Sequence, residues 1–455
     1  MILDSHSVEE FNKVRPDKNS AVLCHAPFKS IFFGMSGKLY ACCFNRIYIL
    51  GTYPEQTIRE IWFGEKTNAL RKAIRQHDLS LGCYTCGYML AAKNYEGVAI
   101  KNFDYTRWDE AGYPTKMDFE LSNICNLECI MCRGEHSSSI RQNREKRPPI
   151  PPKYDSEFIR QLEEFIPHLQ TSHFLGGEPF LIPIYLDLWE KMLELNPTIE
   201  ISVQTNATVV NERISRILEA MPFSISVSID SIDKNIYEQI RVNARFERVM
   251  ENTRFFRNYC QRKGKKMTIS YCPMVMNWHE LPEVVEFCND LNVDVFFNTV
   301  MLPVKYSLSS LSQAEMENII SFLEKKHLPE ETEVQKQNKK SFESVINQIR
   351  YWRQQASRKE KIFNGHRTIT GTQEFLKMLR DYIDGTFPGS PEKQAMYADI
   401  EDKINFMFRR AEQEGILNEF RDYVFTSDPV LVCDFLPKSG KEHFYNIIKI
   451  HAGLQ

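Results

Sequence analysis

Three closely spaced cysteines constrain this chain more than any other feature. They lie in the run Cys125-Asn-Leu-Glu-Cys129-Ile-Met-Cys132. A [4Fe–4S] cube is normally held by four cysteines, so three thiolates leave one iron open to a ligand that is not protein. An open metal position is typical of a chemical site, whereas a closed one is typical of a structural site or an electron carrier.

Other uses of these cysteines are a zinc knuckle, a disulfide with a spare thiol, or plain burial. Zinc favours four ligands in Cys-x2-Cys pairs, and no fourth partner stands beside this run. The chain has 12 cysteines and no apolar N-terminal signal sequence. We therefore expect a soluble cytoplasmic protein, in which clustered cysteines indicate metal or redox chemistry rather than disulfides.

The chain is long enough for two or three domains. It has 455 residues, a hydrophobic fraction of 42% and a net charge of −3, which gives no sign of nucleic-acid binding. No apolar run approaches the roughly 18 residues of a membrane span, so we expect no membrane partner. We predict domains at residues 1–110, 111–305 and 306–455.

Strand and helix patterns alternate through the middle domain. The predicted strands are residues 116–122, 171–175, 200–205, 223–230, 267–274 and 294–300. The predicted helices are residues 156–169, 185–195, 211–221, 246–262 and 280–291. Such alternation indicates parallel strands with right-handed crossovers. The three-cysteine run directly follows the first strand, at the end where parallel α/β barrels place their chemistry.

A second motif follows the second predicted strand, in the run Gly176-Gly177-Glu178-Pro179. Two glycines allow close backbone approach and positive φ, and proline fixes the exit into the next helix. Glu178 offers an acceptor for an ammonium group. The alternative is an ordinary strand-to-helix turn.

The two motifs together resemble the signatures of the radical S-adenosylmethionine (SAM) superfamily. The resemblance implies an α/β fold with a partial (β/α)6 barrel, in which SAM chelates the open iron. An electron from the cube would then cleave SAM to methionine and a 5′-deoxyadenosyl radical. The residues that would bind SAM on this resemblance are Met131, Gly176, Gly177, Glu178, Pro179, Asn206, Ser228, Asp230 and Arg241. For the last four, the alternative is a strand-end hydrogen bond or a surface ion pair.

A second cysteine group precedes the barrel. Twelve residues separate Cys24 from Gly37, four separate Gly37 from Cys42, and Cys83-x2-Cys86 follows. This group resembles the SPASM/twitch domain of peptide-modifying radical SAM enzymes. The resemblance implies a small α+β domain with Gly37 in a hairpin turn and one auxiliary [4Fe–4S] cluster. Neighbouring strand residues face opposite ways, so only one of Cys42 and Cys43 should ligate, and the glycine spacing favours Cys42. In the family this domain normally follows the barrel. A four-cysteine zinc site is the alternative.

Two isolated cysteines are candidates for hydrogen-atom delivery to a substrate radical. Cys272 lies on the fifth predicted strand and Cys433 lies in the run Leu-Val-Cys-Asp-Phe. A lone cysteine in an apolar segment is more often simply packed. The final domain carries helical patterns without a catalytic motif, and we expect a mostly helical region that caps the barrel.

We predict a radical SAM enzyme that abstracts hydrogen from a peptide or protein substrate. The resemblance also implies an electron donor such as flavodoxin or ferredoxin. One alternative is a radical SAM enzyme that acts on a small molecule. Another is a non-catalytic iron–sulfur or zinc scaffold, which requires the Gly-Gly-Glu-Pro run to be a coincidence.

Overall fold

One nine-stranded sheet forms the frame of the chain in a computed structural model, which describes residues 2–91, 95, 98–301, 303–362, 371–386, 393–426 and 440–451. The strands are β1 (Ser30–Phe33), β2 (Lys38–Tyr40), β3 (Gly51–Thr52), β4 (Lys116–Phe119), β5 (Thr171–Phe174), β6 (Glu200–Thr205), β7 (Phe223–Ser228), β8 (Met267–Tyr271) and β9 (Asp294–Phe297). Their order is β3-β2-β1-β4-β5-β6-β7-β8-β9.

The six strands β4 to β9 are parallel and follow one another in sequence order. Each connection therefore moves one place along the sheet in the same direction, which is the winding of a (β/α) barrel. Their alternating inward residues, such as Val203 and Ile225, are buried. This arrangement confirms the predicted partial (β/α)6 barrel in an α/β fold.

Helices occupy most of the connections and the C-terminal region. They are α1 (Ser5–Val14), α2 (Ala26–Lys29), α3 (Ile58–Phe63), α4 (Glu65–Arg75), α5 (Tyr84–Ala91), α6 (Ser138–Asn143), α7 (Ser156–Leu162), α8 (Pro183–Leu195), α9 (Glu212–Ala220), α10 (Lys234–Ile240), α11 (Phe246–Lys263), α12 (Leu281–Leu291), α13 (Gln313–Glu324), α14 (Glu333–Ile362), α15 (Thr372–Thr386), α16 (Lys393–Gln413), α17 (Leu417–Thr426) and α18 (Lys441–His451).

The N-terminal hairpin extends the barrel sheet. β1 pairs antiparallel with β2 and parallel with β4, with Ser30 opposite Lys116 and Phe33 opposite Phe119. Gly37 lies in the hairpin turn at φ +81°, where a side chain would meet the Tyr53 carbonyl oxygen at 2.3 Å. The cysteine-bearing N-terminal region and the barrel are therefore joined through backbone hydrogen bonds of one sheet.

The six predicted barrel strands begin at the residues where the observed strands begin, but five of the observed strands end earlier than predicted. Observed β4 ends at Phe119 rather than at 122, and observed β8 ends at Tyr271 rather than at 274. Beyond these two ends the ladder gives way to side-chain partners: the Leu121 amide donates to the Tyr185 hydroxyl, and the Cys272 amide donates to the Asp230 carboxylate. The patterns also missed α10, a seven-residue helix that begins at the Asp233 cap.

The chain divides into two compact units, residues 1–310 with 319–347, and residues 311–318 with 348–455. The first holds the whole sheet. The second is helical and has its own apolar core, which includes Phe375, Ile404 and Phe420. The predicted boundary near residue 110 falls between two strands of one sheet, and the three predicted domains stay a prediction.

Among the helices of the described residues, none combines the length and the apolar character that a bilayer crossing requires.

Candidate functional site

The three-cysteine loop follows β4 and is held by backbone hydrogen bonds to the end of α10. The Glu128 amide donates to the Val242 carbonyl at 3.0 Å, and the Ile130 amide donates to the Ile240 carbonyl at 2.9 Å. The Cys132 amide donates to the Cys129 carbonyl at 3.0 Å, which closes the last turn. These hydrogen bonds therefore hold the loop in a defined conformation at the C-terminal face of the barrel.

The Glu128 side chain adds a second restraint on this loop. Its carboxylate accepts hydrogen bonds from Asn143 Nδ2 at 2.7 Å, Asn243 Nδ2 at 3.0 Å and Arg144 Nε at 3.1 Å. These donors come from α6, from the segment after α10 and from the residue that ends α6. Three donors satisfy a buried carboxylate, so Glu128 fixes the backbone on which Cys129 stands.

All three cysteines line one cleft of about 420 Å³ at the carboxyl ends of the strands. The cleft also receives predicted SAM-binding residues from the cysteine loop, from the ends of β5, β6 and β7, and from the end of α10. Those that line it are Met131, Gly176, Gly177, Asn206, Ser228 and Arg241, together with Cys272. The structure therefore brings together seven residues that the sequence distributes over more than 140 positions.

Burial has the largest effect on the pKa values of the three thiols. It raises the pKa of Cys125 to about 11 and that of Cys132 to about 12, and neighbouring thiols add to the shift. Burial also raises the pKa of Cys129, although the Arg241 guanidinium opposes it. Cluster assembly must therefore displace protons from buried thiols.

Gly176 and Gly177 bring β5 against the cysteine loop. Gly176 has φ +87°, and a Cβ atom there would stand 2.6 Å from the Ser122 carbonyl oxygen. A Cβ on Gly177 would stand 2.0 Å from the Ile124 carbonyl oxygen, next to Cys125. No larger residue fits at Gly177 without moving the loop that carries the cysteines.

The Glu178 carboxylate faces inward and does not line the cleft, and its role as an acceptor for an ammonium group stays a prediction. The residue is 1% exposed and accepts from the Asn206 amide at 2.6 Å, Thr205 Oγ1 at 2.7 Å and the Phe180 amide at 3.2 Å. Burial raises its pKa to about 7, and these hydrogen bonds oppose that shift. Here Glu178 joins the end of β5 to the end of β6. Pro179 begins a short 3-10 helix and also does not line the cleft.

Arg241, which lines the cleft, forms a buried ion pair with Asp230. Arg241 Nη2 lies 2.7 Å from Asp230 Oδ2, and Nη1 lies 3.9 Å from Cys129 Sγ. Burial disfavours the charged guanidinium, but Asp230 and Cys129 raise the pKa of Arg241 above its usual value. Arg241 Nε is buried and has no hydrogen-bond partner in the described structure. Asp230 itself does not line the cleft, because it is engaged by Arg241 and by the Cys272 amide.

The other predicted residues occupy distinct places. Asn206 Nδ2 lies 3.8 Å from Cys125 Sγ and 3.1 Å from Asn126 Oδ1, and Ser228 ends β7 beside Gln204. Met131 and Cys272 line the cleft and pack against a buried apolar cluster of Ile240, Met274 and Val300. Burial raises the pKa of Cys272 well above the usual value. Cys433 lies outside the described residues.

The four N-terminal cysteines of the predicted set line a second, almost wholly apolar pocket. These are Cys24, Cys42, Cys83 and Cys86. Burial raises the pKa of Cys42 to about 12 and that of Cys86 to about 11. Cys43 does not line this pocket, and the choice of Cys42 as the ligand stays a prediction.

The donor chemistry at both pockets fits iron–sulfur clusters. All seven donors are cysteine thiols, three in the cleft and four in the apolar pocket, which are the sets for an open and a closed cube. Among the described residues, no three or more His, Cys, Asp and Glu side chains stand grouped as ligands of a single metal ion. A cube spreads its ligands over a wider distance than one ion does.

Sequence reasoning missed a charged group that lines or borders the cleft. Glu120, just beyond β4, lies with Oε2 2.7 Å from Arg46 Nη2 and Oε1 3.5 Å from His136 Nδ1. Arg133 and His136 also line the cleft. The position of Glu120 at a strand end could have pointed to it, but Arg46 and His136 carry no local signal.

Two family models match the chain. Residues 119–298 match the Radical SAM superfamily, and residues 24–87 match SPASM, described as an iron–sulfur cluster-binding domain. A protein named GTP 3′,8-cyclase from Pseudomonas fluorescens is 24% identical over 249 residues, which are 53% of this chain and 69% of that protein. A protein named probable GTP 3′,8-cyclase from Methanocaldococcus jannaschii is 22% identical over 173 residues, 38% of this chain and 54% of that protein. The chain thus spans about half of the length of the Methanocaldococcus jannaschii protein.

Solved structures give weaker likenesses. Streptococcus suis SuiB bound to S-adenosylmethionine is 18% identical, with a TM-score of 0.36, over 58% of this chain and 59% of that chain.

Proposed function

Because this chain belongs to the radical SAM superfamily and carries an iron–sulfur SPASM domain, we propose that it binds SAM in the cleft and abstracts hydrogen from a peptide or protein. The two matches confirm the prediction of a radical SAM enzyme rather than a non-catalytic scaffold. They also confirm the predicted cofactors, which are a SAM-binding [4Fe–4S] cluster, an auxiliary cluster and SAM. When bound, these groups supply the electron and the carbon radical.

One observation carries the proposal. Cys125, Cys129 and Cys132 share a single cleft with the glycine pair, Asn206, Ser228 and Arg241. The three thiols can hold three irons of a cube, which leaves the fourth iron for SAM. The glycine pair forms the neighbouring wall, where the backbone comes too close for a side chain. In this proposal the protein holds the cofactor, excludes water and selects the hydrogen that is removed.

The residues at the cleft have separate roles in the proposal. The three cysteines hold the catalytic cube, and the glycine pair, Asn206 and Ser228 orient SAM. Arg241, already paired with Asp230, directs positive charge towards Cys129 and the SAM carboxylate. Glu178 acts through Asn206 and Thr205, whose positions it fixes. Cys272 lines the cleft as a candidate hydrogen-atom donor.

The auxiliary site favours a peptide or protein substrate. The four-cysteine pocket lies in the SPASM region, which resembles that of peptide-modifying enzymes. A closed cube there would accept an electron from a substrate radical or orient the substrate. Flavodoxin or ferredoxin is the proposed class of electron donor.

A small-molecule substrate is the second candidate, supported by the names of the curated relatives, which are GTP 3′,8-cyclases. The charge of the cleft disfavours a triphosphate. The two arginines that line the cleft are Arg133 and Arg241, the Glu120 carboxylate lines it as well, and Arg241 is already paired with Asp230. A triphosphate needs several cations free to pair with it.

The test is SAM cleavage by the chain reconstituted with iron and sulfide without oxygen. With dithionite, we expect the wild type and Cys288→Ala to form 5′-deoxyadenosine, and Cys129→Ala to form none. Cys288 is a fully buried cysteine of α12, away from both pockets. Cleavage by Cys129→Ala would overturn the proposal. Incubation with GTP and with candidate precursor peptides, read by mass spectrometry, then separates the two substrate classes.

A further inference from the structure

Asn45 lies beside the auxiliary cysteines and donates a hydrogen bond to one of them. The residue is three positions after Cys42 and is 2% exposed. Its Nδ2 lies 3.3 Å from Cys83 Sγ and 2.8 Å from the Leu81 carbonyl oxygen. An amide nitrogen carries two hydrogens, so it can donate to both acceptors at once.

The orientation of this amide is fixed by its surroundings. Asn45 Oδ1 accepts from the Tyr48 amide at 3.1 Å. A flipped amide would turn its oxygen towards the Leu81 carbonyl and Cys83, and its nitrogen towards the Tyr48 N–H. Both contacts would then be repulsive, so the nitrogen must face Cys83.

The backbone makes room for Asn45 at Gly82. That glycine has φ +79°, and a Cβ atom there would stand 2.1 Å from Asn45 Oδ1. Gly82, the residue before Cys83, has no side chain that would collide with the Asn45 side chain. The surrounding backbone therefore holds the Asn45 amide in a fixed position beside the pocket.

The side-chain donors at the catalytic cube are farther from their sulfurs. Asn206 Nδ2 lies 3.8 Å from Cys125 Sγ, and Arg241 Nη1 lies 3.9 Å from Cys129 Sγ. The contact of Asn45 with Cys83 is shorter than either by about half an ångström. Hydrogen bonds to ligand sulfurs are one of the factors that set the potential of an iron–sulfur cluster.

We propose that Asn45 is a positioning residue that raises the reduction potential of the auxiliary cluster through its hydrogen bond to Cys83. This inference rests on the proposed function, in which Cys83 is a cluster ligand. Reduction adds negative charge to the cube and its thiolates, and an N–H donor on one sulfur stabilises that charge. The bond thus makes the cluster a better acceptor for an electron from the substrate.

The test is a potentiometric titration of the full-length protein followed by electron paramagnetic resonance (EPR). Asn45→Ala removes the donor, and Asn45→Asp replaces it with an acceptor while keeping an oxygen for Tyr48. We expect the midpoint potential of the auxiliary cluster to fall in both variants, further in Asn45→Asp, while that of the catalytic cluster stays unchanged. The triple variant Cys125→Ala, Cys129→Ala, Cys132→Ala isolates the auxiliary signal for the same comparison.

Asn196→Ala is the matched control. Asn196 is also a buried asparagine that donates to two backbone carbonyls, those of Ile166 and Leu169, but it touches no cysteine. We expect it to leave both potentials unchanged. An unchanged auxiliary potential in both Asn45 variants would overturn the inference, and so would loss of the auxiliary irons from both, which would assign Asn45 to cluster assembly. Failure of the proposed function would appear separately, as a wild type that does not cleave SAM.

Discussion

Arg46 and Glu120 form an ion pair that joins the loop of the auxiliary cysteines to the cleft. Arg46 Nη2 lies 2.7 Å from Glu120 Oε2, and the guanidinium also lies 4.3 Å from the centre of the Phe32 ring. Arg46 comes four residues after Cys42, whereas Glu120 lines the cleft with the three cysteines. The pair therefore connects the two cysteine sites through side chains as well as through the shared sheet.

Removal of Arg46 should destabilise the protein because it takes from the buried Glu120 carboxylate its shorter ion pair and leaves His136 Nδ1, at 3.5 Å, beside it. The Glu120 side chain is 8% exposed and that of Arg46 is 34% exposed. Loss of one partner of a fully buried pair costs about 3–5 kcal/mol, and exposed pairs contribute about 0–1 kcal/mol. Because Glu120 is buried and Arg46 is partly exposed, we expect an intermediate value. Arg46→Leu should lower the free energy of unfolding, measured by anaerobic urea denaturation, by about 1–2 kcal/mol.

A double-mutant cycle gives the control for this pair. Glu120→Gln removes the charge, so the double variant Arg46→Leu, Glu120→Gln should recover part of the loss. Additive effects of the two substitutions would mean that the pair carries no coupling energy and would contradict its role in joining the two sites.

Gly177→Ala should disrupt the catalytic site while leaving the auxiliary site intact. The added methyl group would meet the Ile124 carbonyl oxygen at 2.0 Å, so the cysteine loop must move. We expect SAM binding to weaken by about 10- to 100-fold, the usual cost of disturbing the support of a metal site. Gly371→Ala, where no atom lies within 4 Å of the added carbon, should bind SAM as the wild type does. Equal binding by the Gly177 variant would show that the close approach is not needed.

Glu178 should make the stability of the fold depend on pH between about 4.5 and 7. Burial raises its folded pKa from 4.5 to about 7, so the folded state binds more protons than the unfolded state in that range. Its contribution is therefore present below pH 4.5 and is lost as the pH rises through 7. The difference in free energy of unfolding between the wild type and Glu178→Gln should fall over this range and be flat above it. A difference that does not change with pH would contradict the raised pKa.

Arg241→Lys should weaken SAM binding although it keeps the charge. The guanidinium reaches Asp230 with one nitrogen and Cys129 with another, and a lysine ammonium cannot replace both contacts. We expect the dissociation constant for SAM, measured by anaerobic equilibrium dialysis, to rise by at least about tenfold. Arg262→Lys changes an exposed pair with Glu219 and should have no effect. The assignment of Arg241 fails if both variants bind SAM equally.

Much of the barrel could be predicted because its signals are local. Strand starts, such as Glu200 and Met267, follow from runs that contain β-branched and aromatic residues. The two cysteine sets and the glycine pair also stand in short motifs of fixed spacing. Strand ends were placed too late, because residues such as Leu121 and Cys272 follow on from apolar strand runs, but their amides donate to the Tyr185 hydroxyl and the Asp230 carboxylate.

Contacts between distant segments could not be predicted. The parallel pairing of β1 with β4, which merges the N-terminal hairpin with the barrel, depends on strands more than 80 positions apart. The inward turn of Glu178 depends on the amide of Asn206 and the hydroxyl of Thr205, which no spacing around Glu178 reveals. The contacts of Arg46 with Glu120 and of Asn45 with Cys83 likewise exist only in the folded chain.

The most direct test of the central claim is EPR spectroscopy of the dithionite-reduced protein with and without SAM. The account predicts about eight irons per chain, four in each of two cubes, and a SAM-induced change in the signal of one cube only. The triple variant Cys125→Ala, Cys129→Ala, Cys132→Ala should keep about four irons and a signal that SAM does not alter. A triple variant whose signal still responds to SAM, or that still forms 5′-deoxyadenosine, would contradict the account.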